Sequence, residues 1–139
     1  MSSEEKRAWI YAVIAIGVPV VYFAIILRQV PSTNVADIAY VRPLFTAIGV
    51  AVLLNIVATI VAGIASPKEA GKKDERDKQI NRFGEYVGFY VMSVLTLVPL
   101  GLAMAEFAYF WIANSLYLAF VLAALTSSVV KIVAYRRGL

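Results

Sequence analysis

A chain of 139 residues that is 61% hydrophobic and only 16% charged has no room for a second folded domain beside its apolar segments. It contains no Cys and no His, which removes disulfides, thiolate chemistry and the ordinary haem and zinc sites. The net charge of +4 invites nucleic acid as a partner, but the basic residues are distributed as a membrane would order them, so no direct nucleic-acid contact is expected.

Four apolar stretches, at about residues 8–27, 43–65, 86–105 and 111–130, carry no charged residue. About 20 residues at ~1.5 Å each match the ~30 Å hydrocarbon layer of a bilayer. Spanning segments must satisfy their own backbone hydrogen bonds, and these runs lack the alternation of a membrane barrel, so each is expected to be a helix. The predicted fold class is an all-α membrane protein, a four-transmembrane-helix bundle forming one integral domain over residues 1–139, with the lipid bilayer as its first partner. If the amino terminus is cytoplasmic, eleven Lys and Arg residues fall on the inner side and only Arg28 and Arg42 on the outer. That asymmetry predicts both termini and the loop at 66–85 in the cytoplasm.

The first span follows a short polar arm. Trp9 and Tyr11 stand where the helix enters the inner interface. Its apolar core exceeds the ~7–15 residues of a secretory signal, and no small-x-small cleavage pattern precedes Arg28, so it is expected to remain as a span. Pro19 lies mid-span and removes one backbone bond; it is read as a packing kink, or as a hinge.

In the outer loop from Arg28 to Arg42, Ser32, Thr33 and Asn34 have the chemistry of helix caps, so the second helix is expected to start near Asn34, with Pro43 marking a bend or a fresh first turn. Asn55 within this span is an amide in hydrocarbon, and it is expected to serve as interhelical packing glue. Ser66 and Pro67 end the span.

The loop KEAGKKDERDKQINRFGE, from Lys68 to Glu85, holds six basic and five acidic residues. The third helix is expected to begin near Asp74 and to continue unbroken into the membrane, with Asp74 and Lys78 paired at i, i+4. Three readings compete: a solvated helical extension, a surface for anionic lipid heads, and a divalent-cation site on Asp74, Glu75 and Asp77. The interleaved acids weaken the second. Lys73, Arg76 and Lys78 compete for the carboxylates of the third, so no metal or cofactor is expected.

The run Asp74-Glu75-Arg76 followed by Ile80, just before the third span, resembles the DER-type motif of small uncharacterised bacterial four-span membrane proteins of unknown function. Some of these accompany helix-turn-helix regulators. The resemblance covers Asp74 to about Met92; it implies a bacterial inner-membrane protein in a regulatory setting and transfers no activity.

Gly84 and Gly88 form G-x-x-x-G at the start of the third span, a bare face that admits another helix closely. Two occupants fit it: a helix of the same bundle, for which Ala119, Ala123, Ser127 and Ala134 of the fourth span offer small residues, or the seam of a homodimer. Pro99, in the outer third of this span, is a second hinge candidate. Glu106 to Phe110 then form a tight outer turn, with Glu106 within reach of Arg42 for an ion pair. At an offset of 80 residues, Pro19 aligns with Pro99 and Asn34 with Asn114, a weak trace of duplicated two-span units.

No charge lies at mid-depth in any span, which counts against proton-coupled transport. No nucleophile has a base, so enzymatic chemistry has little support. The expected function is therefore that of a non-enzymatic interaction or regulatory subunit that docks a cytoplasmic regulator or a membrane subunit. Its partner-binding residues would be Asp74, Glu75, Arg76, Lys78 and Ile80, on the helix at 74–85. The alternative is a small oligomeric channel or transporter bending at Pro19 and Pro99.

Overall fold

In a computed structural model that describes residues 3–65 and 75–138, all regular structure among the described residues is helical. Helix α1 (Ser3–Leu27) begins with Glu4 and Glu5 in its first turn, where carboxylates complement the helix dipole, and it passes through Pro19 without ending. A short 3-10 turn at Val35–Asp37 follows, capped by the Asn34 side chain, whose oxygen accepts from the Ala36 N–H at 3.2 Å. This cap does not start the second span. The backbone is extended again at Ile38, and α2 (Val41–Ala65) begins separately with Pro43 in its first turn, where a missing N–H costs no helical bond.

The third span is two helices. Helix α3 (Glu75–Leu95) and helix α4 (Leu97–Met104) meet at Thr96. Pro99 has no N–H to give the Leu95 carbonyl, so the ladder is interrupted one turn before the proline. The Thr96 hydroxyl donates to the Met92 carbonyl at 2.8 Å and so satisfies local backbone at the break. Pro19, by contrast, is absorbed within one continuous helix.

The turn into the last helix, α5 (Tyr109–Arg137), is a Schellman motif. The Phe107 N–H donates to the Leu102 carbonyl at 3.0 Å and the Glu106 N–H to the Ala103 carbonyl at 3.1 Å, with Glu106 left-handed at φ 59°. Helix α5 itself ends on Gly138, also left-handed at φ 73°. Glu106 and Arg42 form no ion pair among the described residues.

Four helical segments are long and apolar enough to cross a membrane: Glu4–Leu27, Val41–Ala65, Glu75–Met104 and Tyr109–Arg137. The chain has the architecture of a multi-pass membrane protein. Helix α5 is its axis, packed against α1, α3 and α4, whereas α2 leans chiefly on α1. Only 6% of the most apolar stretch of α2 is buried, against 22% for α1 and for α5, so α2 is peripheral. The bundle is therefore open between α2 and α3.

Two apolar clusters hold it together. At the end bearing the interhelical turns, Tyr22, Ile26, Ile38, Ala47 and Phe110 pack with Phe23, Tyr40 and Tyr117 around them. At the end bearing both termini, Ala8 and Ala12 of α1 meet Ile132 of α5. The two alanines leave α1 and α5 room to approach closely.

Candidate functional site

At the end bearing the termini, the first turns of α3 lie on the last turns of α5 and the first turn of α1. Asp77, Ile80, Gly84 and Gly88 recur at spacings of three and four residues, so they share one helical face, and all four are buried. Ile80 is 4% exposed. Around it, Asp77 accepts a hydrogen bond from the Tyr135 hydroxyl. Arg76 donates to the Tyr135 carbonyl at 3.1 Å and lies 5.3 Å above its ring. The Asn81 amide donates to Glu4 at 3.2 Å, Glu4 pairs with Arg7 at 3.5 Å, and Glu5 pairs with Arg136 at 3.0 Å. The buried carboxylates of Glu4, Glu5 and Asp77 thus each meet a donor from a side chain.

This lattice divides the residues expected to bind a partner. Arg76 and Ile80 hold α3 to its own bundle. Glu75 and Lys78 face outward and pair with each other at 3.4 Å, an i, i+3 contact. Asp74 and the segment at 66–74 lie outside the described residues. Gln79, Arg82 and the ring of Phe83 complete the outward face of α3 beside Glu75 and Lys78.

The G-x-x-x-G face is occupied by α5 of the same chain. A Cβ on Gly88 would stand 3.1 Å from the Ser127 Cβ and 3.4 Å from the Ala123 carbonyl oxygen. A Cβ on Gly84 would stand 2.6 Å from Cγ of Lys131, so the lysine stem lies in the notch the glycine leaves. The small residues of α5 at Ala119, Ala123 and Ser127 are buried on this side.

Asn55 does not bridge helices. Its amide nitrogen donates to the Ala51 carbonyl at 2.9 Å, one turn back in α2, and its buried Oδ1 has no hydrogen-bond partner among the described residues. Within the apolar spans, Asn114 is the amide that joins two helices. The Tyr22 hydroxyl of α1 donates to its Oδ1 at 2.5 Å, and its Nδ2 donates to the Phe110 carbonyl at 2.8 Å. The sequence reveals both residues, but not that they share a depth and a face. Asn34, which aligns with Asn114 in the internal comparison, is an exposed cap and plays no such part.

Between α2 and α3, over a floor of α1 and α5, runs a cleft of about 810 Å³. Ile14 and Pro19 of α1, Ile48 and Val52 of α2, Phe89 and Met92 of α3, and Phe120 and Val121 of α5 give it apolar walls. Most of its polar groups gather toward the end bearing the termini, namely Tyr11, Ser127, Ser128, and the ion pair of Lys131 with Glu85 at 2.5 Å, while Asn55 and Tyr117 line it farther along. The Lys131 side chain is 13% exposed and that of Glu85 73%, so the cation is sheltered and the anion faces out. Neither residue stands out in the sequence, where Glu85 ends a charged run and Lys131 follows an apolar one. Among the described residues no group of three His, Cys, Asp or Glu side chains is arranged to hold a metal ion.

Compared with known protein families, with curated proteins and with solved structures, the chain matches none. The class defined by the fold is thus that of a multi-pass helical membrane protein, and what it does has to be argued from its own geometry.

Proposed function

We propose that this is a non-enzymatic protein of the bacterial inner membrane, with both termini cytoplasmic, which acts as an interaction or regulatory subunit through the outward face of α3. The orientation rests on the eleven basic residues at one side against two at the other. The observation that carries the docking role is the way α3 is fixed. Asp77, Ile80 and Gly84 lock one face to α5, which leaves Glu75, Lys78, Gln79, Arg82 and Phe83 presented on a rigid helix at the membrane surface. A preorganised surface of mixed charge with one exposed aromatic ring lowers the ordering cost of binding a protein. The partner is a cytoplasmic regulator or the soluble part of a membrane subunit.

The test is site-specific photocrosslinking from Gln79 in intact cells, with Phe45 on the lipid face of α2 as the control position. A discrete adduct from Gln79, lost when Lys78 and Arg82 are both changed to Glu, supports docking. If that charge-reversed variant keeps every partner while the purified protein in liposomes moves ions or solutes, the reading fails. The open cleft between α2 and α3 favours the second reading, a small oligomeric channel or transporter, and liposome flux would be its support.

A further inference from the structure

The cleft between α2 and α3 is apolar along most of its length and ends in one cation and one anion. We propose that it is a binding site for a phosphoethanolamine-headed phospholipid. The phosphate would be held by Lys131, the ammonium by Glu85, and an acyl chain would lie along Met92, Phe120 and Val121. This assignment is independent of the docking role of α3.

Four observations carry it. Lys131 and Glu85 come from adjacent helices, line the same cleft and pair at its mouth, so both signs of charge are set side by side. The stem of Lys131 lies in the notch left by Gly84, which fixes the ammonium group at the cleft instead of letting it extend to water. Tyr86 directly follows Glu85, and Tyr135 lies one turn beyond Lys131, the aromatic placement of a headgroup boundary. Finally, the cleft reaches from Lys131 to Tyr117, fourteen residue steps along α5. At 1.5 Å per residue that is about 21 Å, longer than the ~15 Å of one leaflet. Its volume also falls within the ~300–1,000 Å³ of ordinary ligand sites.

The charge pattern selects the head. A purely anionic head would gain Lys131 but meet the Glu85 carboxylate beside it. A choline head carries the right charge but has no N–H to donate to Glu85. Nor does the neighbouring cation add to the field, because Arg7 is neutralised by Glu4 at 3.5 Å and donates to the Tyr11 hydroxyl at 3.1 Å. A primary ammonium joined to a phosphate matches both partners at once.

Native mass spectrometry of the full chain in mild detergent tests the proposal, with added phosphatidylethanolamine, phosphatidylglycerol, phosphatidylcholine and diacylglycerol of identical chains. Phosphatidylethanolamine should be retained about tenfold better than the others, the scale of one charge-assisted hydrogen bond. Lys131→Met should reduce it to the diacylglycerol level. Glu85→Gln should erase the preference over phosphatidylglycerol; this exposed position keeps the test open if Lys131→Met does not fold. Ala124→Phe, which fills the cleft, should remove all four lipids, and free O-phosphoethanolamine should not bind. Equal retention of the three phospholipids, retention unchanged in both charge variants, or binding of the free head would overturn the proposal.

Discussion

Gly88 lies against Ser127 so closely that a side chain on the glycine would meet the serine Cβ at 3.1 Å. This contact, with Gly84 against Lys131 one turn away, sets how closely α3 approaches α5. Gly88→Leu should therefore lower stability by about 1–3 kcal/mol, the range for overpacking a tight contact. Gly101, with nothing within 4 Å of its Cβ position, is the control. Gly101→Ala should leave the midpoint of thermal unfolding in detergent unchanged or slightly raised, and a similar loss in both variants would show that helix packing at Gly88 is not the cause.

Tyr22 and Asn114 form the hydrogen bond that joins α1 to α5 near the interhelical turns. Bonds of this kind inside membranes average about 0.6 kcal/mol, with a maximum near 1.7. A double-mutant cycle of Tyr22→Phe and Asn114→Ala, read by denaturant unfolding in micelles, should give a coupling within that range. The corresponding cycle of Tyr22→Phe with Asn55→Ala should give none, because Asn55 bonds within its own helix.

Glu106 holds a left-handed conformation, φ 59°, at the C′ position of the turn between α4 and α5. A side chain there costs about 1–2 kcal/mol, whereas Gly adopts the conformation freely but loses more entropy on folding, about 0.5–1 kcal/mol. The balance predicts that Glu106→Gly raises stability by about 0.5–1 kcal/mol. A lowered unfolding midpoint for this variant would show that the carboxylate makes a contribution larger than the backbone strain.

Ile80 and Arg82 sit two residues apart on opposite faces of α3, the first buried and the second exposed. Ile80→Ala should cost about 2 kcal/mol, the low end for a buried aliphatic residue. Arg82→Ala should stay within about 0.5 kcal/mol, as surface positions do. If docking proceeds through the outward face, crosslinking from Gln79 should fall in Arg82→Ala at unchanged stability, which separates loss of a partner from loss of fold.

Reporter fusions check the orientation. Alkaline phosphatase should be inactive when fused after Arg137 and active when inserted at Phe107, in the turn before α5; the opposite pattern would reverse the proposed topology.

The four spans are readable from the sequence because lipid imposes a strong, local rule: about 20 uncharged residues, helical since no water is present to satisfy the backbone. The break near Pro99 is not local in this sense, because Pro19 lacks the same N–H and yet lies within one continuous helix. The G-x-x-x-G motif marks a close approach, but its spacing cannot name the helix that fills it. That choice fell to the tertiary structure, which set Gly84 and Gly88 against Lys131 and Ser127 and so placed Lys131 at the mouth of a cleft. Likewise Asn55 and Asn114 look alike in a hydropathy profile. Only packing decides that Asn114 meets Tyr22 while Asn55, on the peripheral α2, turns back to its own backbone. The physical reason is common to all these cases: hydrophobicity fixes whether a helix enters the membrane, but it is indifferent to rotation about the helix axis, and rotation determines which side chains meet.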